Sequence, residues 1–209
     1  NAPVLSSEGR AFPVETIYAE RPAPDQPSPR AIADQVRPAI REALATQQGS
    51  VLVFLPGQAE IRRLMEQLQD ALPADVELTP LFGDLDARAQ DAAVAAAAPG
   101  RRKVVLATAL AESSLTIDGI EVVIDAGWSR VSRFDPSTGL ARLLTEKAAV
   151  AQADQRRGRA GRLGPGVCWR LWTAVDQQRR PLQPQPEILS SDPAPLALEL
   201  ALWGSAEGE

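Results

Sequence analysis

Residues 50–55, Ser-Val-Leu-Val-Phe-Leu, form a continuous apolar run of strand length, and Pro56 and Gly57 follow it at once. A strand without alternation of polar and apolar residues is buried on both faces, which is typical of the centre of a parallel sheet. Parallel neighbours must be joined by crossover connections, usually helices. This run therefore restricts the chain to an α/β arrangement.

The rest of the chain repeats an alternation of strands and helices. Apolar residues at helical spacing predict helices over residues 31–47, 58–71 and 87–97. Strands are predicted over residues 12–18, 76–81, 103–108, 122–124 and 166–172. Pro13 places the first strand at an edge, because proline cannot donate to a ladder. We expect an α/β fold with a mainly parallel sheet flanked by helices, whose loops converge on one sheet edge.

The alternation breaks between residues 125 and 148. Residues 128–134 and 140–145 look like strands, and residues 135–139, Asp-Pro-Ser-Thr-Gly, are typical of a chain reversal. The sequence therefore predicts a β-hairpin insertion. Arg130 and Arg133 favour a contact role for it, although an ordinary surface hairpin fits the same residues.

The sequence divides into three expected segments. Residues 1–30 hold an irregular start, the edge strand and a proline-rich linker; residues 31–175 are the α/β domain; residues 176–209 are a second linker and a helix. Asp192 is predicted to cap that helix, with Pro193 at its first position. The leucines of this helix would need a partner, so we interpret the chain as a fragment.

Composition limits the possible functions. The net charge of −5 and pI of about 5.0 argue against a protein that coats nucleic acid, so any such contact must be local. The chain has no histidine, which excludes histidine-based triads and zinc sites, and its single cysteine, Cys168, is predicted to be buried. No apolar run approaches the roughly 20 residues of a membrane span, and we expect a cytoplasmic protein without a membrane partner.

Residues 155–162, Gln-Arg-Arg-Gly-Arg-Ala-Gly-Arg, are called the arginine motif below. On a predicted helix over residues 150–161, Arg159 and Arg162 would project from one face, which Gly158 and Gly161 leave open. Guanidinium groups bond phosphate oxygens in pairs and keep their charge. The motif therefore predicts a phosphate-binding face, although alone it also fits a solvated basic helix end.

The arginine motif resembles motif VI of the DEAH-box group of superfamily 2 helicases, whose pattern is Gln-Arg-x-Gly-Arg-Ala-Gly-Arg. Residues 107–119 resemble motif V of that group, and residues 134–140 point to its bacterial HrpB type. The resemblance implies that residues 31–175 are a RecA-like helicase C-terminal lobe. It also implies that residues 176–209 lead into a winged-helix region.

The resemblance implies roles for individual residues. Arg159 and Arg162 match the arginine fingers that act on ATP, and Gln155 matches a polar contact to the γ-phosphate or the attacking water. Arg157 occupies the unspecified position, so we expect it to be solvated or salt-bridged. The expected nucleotide contacts are Ser114, Thr116 and Asp118. The expected nucleic-acid contacts are Thr108, Gly83, Asp84, Arg130 and Arg133. Without the resemblance, loop and cap hydrogen bonds would explain the polar residues equally well.

The chain contains no Gly-x-x-x-x-Gly-Lys-Ser/Thr phosphate loop and no Asp-Glu-x-His sequence. In the resembled family these lie on a first RecA-like lobe, which holds Mg²⁺ with ATP. The expected function is therefore a motor lobe of an ATP-dependent RNA helicase that is inactive alone. Its expected partners are single-stranded RNA, that first lobe and C-terminal domains of the same protein. A DNA helicase lobe and a non-catalytic α/β interaction module remain alternatives.

Overall fold

A computed structural model describes residues 12–24, 27–69, 71–112 and 116–204. The strands are β1 (Val14–Tyr18), β2 (Ser50–Phe54), β3 (Val76–Leu81), β4 (Arg102–Ala107), β5 (Ile120–Asp125), β6 (Trp128–Asp135), β7 (Leu140–Lys147) and β8 (Gly166–Arg170). The helices are α1 (Pro29–Thr46), α2 (Gln58–Leu68), α3 (Ala87–Val94), α4 (Val150–Arg157), α5 (Ala174–Gln178) and α6 (Ala194–Leu202), with short 3₁₀ helices at Ala109–Glu112 and Glu187–Leu189.

The main sheet has the strand order β1-β8-β5-β2-β4-β3, and every neighbouring pair is parallel. This confirms the predicted fold class. All residues of β2 are buried, as its continuous apolar run predicted. Strand β1 is the outermost strand on one side of the sheet, as Pro13 predicted. Because the strands run in one direction, their carboxyl ends meet at one edge of the sheet, which we call the carboxyl edge.

The two faces of the sheet are covered differently. Helices α1 and α2 pack their apolar residues on the face formed by Val51 and Val53. A fully buried side chain of this kind stabilises the fold by about 1.5–3 kcal/mol. On the other face, Ala93 of α3 and Ala160 of the arginine motif pack near Leu52. Because alanine is small, the arginine motif lies close to this face of the sheet.

Helix α4 ends at Arg157, well before the predicted end at residue 161. The chain continues in tight turns, in which the N–H groups of Arg159 and Gly161 donate to carbonyls three residues earlier, at 3.0 and 3.3 Å. A Cβ atom on Gly161 would lie 2.6 Å from the carbonyl oxygen of Phe12, so these turns require glycine beside the start of β1. Arg159 and Arg162 therefore do not share a helical face, and that prediction was wrong.

Helices α2 and α3 also end earlier than predicted. The ammonium group of Lys103, on β4, donates to the carbonyls of Ala92 and Ala95 at 2.7 and 2.8 Å. These carbonyls have no partner within the helix, and the lysine takes the place of the next helical turn. Helix α2 ends at Leu68, three residues before the predicted end at residue 71. Alanine or leucine residues continue beyond each helix, so the sequence pattern did not show where either helix ends.

Strands β6 and β7 form the predicted antiparallel hairpin. At its tip, Asp135 accepts hydrogen bonds from the N–H and hydroxyl groups of Ser137 at 3.0 and 2.6 Å, which lowers the pKa of the carboxyl group. Gly139 has a positive φ of 67°, which suits glycine in the reversal. At the hairpin base, Gly127 has a φ of 80°.

The last segment crosses the hairpin before it forms α6. The N–H group of Phe134 donates to the carbonyl oxygen of Ser190 at 2.8 Å. Asp192 accepts from the N–H group of Ala194 at 2.9 Å, but the helix begins at Ala194 with Pro193 at its N-cap, one residue later than predicted. No residue of α6 is buried. No helix in the described ranges has the length and apolar character needed to cross a membrane.

Candidate functional site

The turns after α4 bring the arginine motif against the segment that resembles motif V. Nη1 of Arg162 donates a hydrogen bond to Oγ1 of Thr116. Nη2 of Arg159 donates to the carbonyl oxygen of Glu112, at the end of a 3₁₀ helix. The two predicted sites, one on each motif, are therefore in direct contact, although more than 40 residues separate them in the sequence.

A cleft of about 300 Å³ lies at this contact, and we call it the arginine cleft. The residues lining it are Glu112, Gln155, Gly158, Arg159 and Arg162. All three residues predicted to act on ATP thus line one open cleft.

The two arginines of the cleft have different environments. Arg162 is exposed, whereas Arg159 is only 7% exposed. Burial lowers the pKa of the Arg159 guanidinium below its ordinary value, and the nearby charge of Arg162 lowers it further. Two like charges this close are relieved by an anion, so the cleft is suited to a phosphate group.

The three predicted nucleotide contacts are not all placed in this cleft. Thr116 is exposed and touches Arg162. Asp118 is exposed in the turn before β5, where its N–H group donates to the carbonyl oxygen of Val94 at 3.3 Å. Ser114 lies outside the described residues. The structure therefore joins Thr116 to the arginine motif and leaves the side chain of Asp118 open to solvent.

Three predicted nucleic-acid contacts lie together at the carboxyl edge. Gly83 and Asp84 follow β3, and Thr108 follows β4, which pairs with β3. The N–H group of Thr108 donates to the carbonyl oxygen of Leu81 at 3.1 Å, which ties the two strand ends together. Asp84 accepts from Nε2 of Gln58 at the start of α2. The edge thus presents a hydroxyl group and open backbone from neighbouring strands.

The two hairpin arginines point to opposite faces of β6, because they are an odd number of residues apart. Arg130 is exposed and donates to Oγ1 of Thr145 at 2.7 Å. Its Nε lies 4.0 Å from where a Cβ atom on Gly57 would be, so it reaches the carboxyl edge. Arg130 therefore lies beside the loop that follows β2 at this edge of the sheet.

Arg133 has carboxylate and amide partners of its own. It forms a two-bond ion pair with Glu146, at 3.0 and 2.8 Å, and also donates to Gln185. The hydrogen bonds with Glu146 raise the pKa of Arg133 and lower the pKa of Glu146. The structure therefore gives Arg130 and Arg133 different surroundings, although the sequence predicted the same contact role for both.

Sequence reasoning missed Arg156, which is only 1% exposed. Its partners are Glu112 (2.6 and 2.7 Å), Asp125 (2.8 Å), the carbonyl oxygen of Trp128 (3.1 Å) and Oγ of Ser129 (2.8 Å). Burial alone would lower the pKa of Arg156, but the charges of Asp125 and Glu112 outweigh it and raise the pKa. An acidic residue that ends a buried apolar strand, as Asp125 does, was a signal that a buried cation pairs with it.

Arg157 behaves as predicted. Its side chain is 43% exposed and lies 3.9 Å from Asp154, one turn earlier on α4.

Cys168 is fully buried, which confirms the prediction made for it from the sequence. No group of acidic residues or cysteine within the described ranges could hold a metal ion.

Residues 35–164 of the chain match the family described as the helicase conserved C-terminal domain. The chain is 47% identical to the ATP-dependent RNA helicase HrpB of Escherichia coli K12 over 99% of its own length and 25% of that protein. It is 39% identical to the pre-mRNA-splicing factor ATP-dependent RNA helicase prp22 of Schizosaccharomyces pombe, over 89% of this chain and 16% of that protein.

A solved structure shares this fold. The crystal structure of the Escherichia coli DEAH/RHA helicase HrpB superposes with a TM-score of 0.89 at 47% identity, over 99% of this chain and 26% of that chain. The chain thus spans about a quarter of the length of the HrpB proteins it matches. The expected RecA-like lobe and the resemblance to HrpB are confirmed, and the chain belongs to the helicase conserved C-terminal domain family.

Proposed function

We propose that the chain is the second motor lobe of an ATP-dependent RNA helicase and that its arginine cleft faces the phosphates of ATP. The observation that carries this proposal is the arginine cleft itself, where Arg159, Arg162 and Gln155 meet beside Thr116. The chain has two guanidinium groups for phosphate but no phosphate loop. Such a chain needs a second lobe to complete a nucleotide site.

Arg162 is the principal arginine finger in this proposal. Among the described residues, no carboxylate forms an ion pair with it, and its side chain is exposed. Its charge is therefore available to stabilise negative charge that develops during phosphoryl transfer, which for a finger is worth about 10³–10⁵ in rate. Arg159 contributes charge from a buried position, and Gln155 orients the attacking water. ATP, when bound, supplies the phosphoryl group.

In the same proposal, Thr116 and Ser114 contact the nucleotide on its γ-phosphate side, and Asp118 binds the ribose. The described residues offer no carboxylate cluster for Mg²⁺. We therefore assign Mg²⁺ and the phosphate loop to a first RecA-like lobe elsewhere in the full-length protein.

The carboxyl edge binds the backbone of single-stranded RNA. Thr108, Gly83 and Asp84 follow neighbouring strands there, and Arg130 is the hairpin cation that reaches the same edge at Gly57. Hydroxyl and backbone groups bind phosphates without reading bases, as a motor that moves along any sequence requires. RNA is favoured over DNA because relatives are named RNA helicases.

The test is ATP hydrolysis by the full-length protein with single-stranded RNA, with single-stranded DNA, and with neither. We expect RNA to stimulate hydrolysis more than DNA. Arg162→Ala should lower kcat by about 10³-fold or more without RNA and with it. Arg157→Ala is the matched control and should change kcat little, because the Arg157 side chain is 43% exposed and pairs with Asp154 on its own helix.

Equal stimulation by DNA would favour the DNA helicase alternative. An unchanged kcat in Arg162→Ala would contradict the finger assignment. The absence of ATP hydrolysis by the full-length protein would leave the non-catalytic interaction module as the better proposal.

The 209-residue chain alone should not hydrolyse ATP, because half of the phosphate site belongs to the first lobe. Magnesium-dependent turnover by the purified chain would contradict this proposal if Arg162→Ala abolished it. The Arg162→Ala chain is the control that separates real activity from contamination.

A further inference from the structure

The hairpin and the arginine cleft meet at one buried side chain. Arg156 leaves the C-terminal turn of α4 and reaches the first two residues of β6. Its Nη1 donates to the carbonyl oxygen of Trp128 at 3.1 Å, and its Nη2 donates to Oγ of Ser129 at 2.8 Å. Its guanidinium carbon lies 5.3 Å from the centre of the Phe54 ring. The start of the hairpin is thus hydrogen-bonded to the helix that carries the arginine motif.

Glu112 connects the same side chain to the arginine cleft. Oε1 of Glu112 accepts from Nε of Arg156 at 2.7 Å, while the carbonyl oxygen of Glu112 accepts from Arg159. Glu112 also lines the cleft. Glu112 therefore contacts both Arg159, which lines the cleft, and Arg156, which holds the start of the hairpin.

The other side of the hairpin base is held by Arg180. Its Nη1 donates to the carbonyl oxygens of Gly127 and Ala148, both at 2.8 Å, one on each side of the hairpin. The guanidinium group also stacks 3.9 Å from the ring centre of Trp172. Both ends of the hairpin are therefore fixed to one guanidinium group. Arg156 joins the hairpin to the cleft.

We propose that Arg156 is a positioning residue that couples the arginine cleft to the hairpin, so that nucleotide and RNA change each other's affinity through it. The proposal rests on the proposed function, since it needs a nucleotide at the cleft and RNA beside Arg130. Energetic coupling of this kind is carried by contiguous hydrogen-bonded side chains between packed elements. By linkage, the effect is the same in both directions.

Ser129→Ala tests the coupling with little other change. It removes the hydroxyl group that accepts from Arg156 and leaves the bonds to Glu112 and Asp125 in place. Ser132→Ala is the matched control, because Ser132 is an exposed serine on the same strand. Arg156→Lys is the second variant, which keeps the charge but cannot span all of the partners of the guanidinium.

The measurement is the Kd of the full-length protein for fluorescent single-stranded oligouridine, with and without a saturating non-hydrolysable ATP analogue. The ratio of the two Kd values is the coupling, and such factors are typically about 5- to 150-fold. We expect Ser129→Ala to reduce this ratio by about threefold or more. Basal ATPase activity should stay at the parent level, and Ser132→Ala should keep the parent ratio. Arg156→Lys should reduce the ratio further.

The basal ATPase rate separates the two proposals. If the parent has no ATPase activity, the proposed function fails, and the coupling fails with it. If ATPase activity is normal but Ser129→Ala keeps the parent ratio, or the parent ratio is one, the coupling alone is overturned. An equal reduction in Ser132→Ala would also overturn it. Unfolding of Arg156→Lys would leave the decision to Ser129→Ala, which removes only one hydroxyl group.

Discussion

The side chains of Arg156 and Glu112 form a buried ion pair, with 2.6 Å between Nη2 of the arginine and Oε1 of the carboxylate. Arg156 also pairs with Asp125, whose side chain is fully buried, at 2.8 Å. One guanidinium group therefore pairs with two carboxylates, one on the 3₁₀ helix after β4 and one at the end of β5. Removal of the arginine would leave the carboxylate of Asp125 fully buried without its ion-pair partner.

Arg156→Met should therefore destabilise the fold strongly. Removing one partner of a buried ion pair costs about 3–5 kcal/mol, because the remaining charge stays desolvated. The free energy of unfolding of the 209-residue chain, from urea titration followed by tryptophan fluorescence, measures this cost. Arg157→Met is the neighbouring control and should stay within about 0.5 kcal/mol of the parent, as exposed positions do. Similar losses in both variants would show that Arg156 is not the centre of the network.

Arg159→Ala and Arg162→Ala should differ in stability although both reduce ATP hydrolysis. The buried Arg159 donates to the carbonyl oxygen of Glu112, and the loss of a buried hydrogen bond of this kind costs about 1–3 kcal/mol. Arg162 is exposed, so its removal should change stability by no more than about 0.5 kcal/mol. The melting temperatures of the full-length variants, measured beside their kcat values, check this. Equal melting temperatures would contradict the distinction between the two arginines.

The sheet and hairpin could be predicted because their signals are local. The apolar run over residues 50–55 and the turn residues at 135–139 determine a buried strand and a chain reversal without reference to distant parts of the chain. The resemblance of the arginine motif and of residues 107–119 to helicase motifs also indicated that they form one site. The hydrogen bond from Arg162 to Thr116 brings the two motifs together, while the roles of these residues stay predictions.

The role of Arg156 could not be predicted in this way. Its carboxylate partners, Glu112 and Asp125, are 44 and 31 residues away, and no local periodicity indicates such contacts. The burial of Arg159 was missed for a related reason, because it depends on where α4 ends. Gly161 must pass close to the carbonyl oxygen of Phe12, so the helix gives way to turns that direct Arg159 inward. Only the packing of β1 against the arginine motif reveals this.

Cys168 should be unreactive towards thiol reagents in the native chain. It is fully buried on β8, and burial raises the pKa of its thiol group to about 12. The reactive form is the thiolate, so reaction at pH 8 should require unfolding. The modification rate with a chromogenic disulfide should rise sharply across the urea transition and be negligible below it. Fast modification in the native chain would show that β8 opens locally.

Arg130→Glu should weaken RNA binding by the full-length protein more than Arg133→Gln does. Arg130 is exposed and reaches the carboxyl edge, whereas Arg133 is already neutralised by Glu146. A cation that contacts one phosphate contributes about one unit to the salt dependence of binding, so Arg130→Glu should lower that slope by about 1.

The measurement is the Kd for a single-stranded RNA oligonucleotide at several salt concentrations, with basal ATPase activity measured alongside. Basal activity should be unchanged in both variants, because neither arginine lies in the arginine cleft. Arg133→Gln leaves Glu146 without its partner on a largely solvated hairpin, where such a pair is worth only about 0–1 kcal/mol, so the hairpin should remain folded. If Arg133→Gln lowers the salt slope as much as Arg130→Glu, the ion pair with Glu146 opens to bind phosphate. Unchanged slopes in both variants would show that the hairpin does not contact RNA through these arginines.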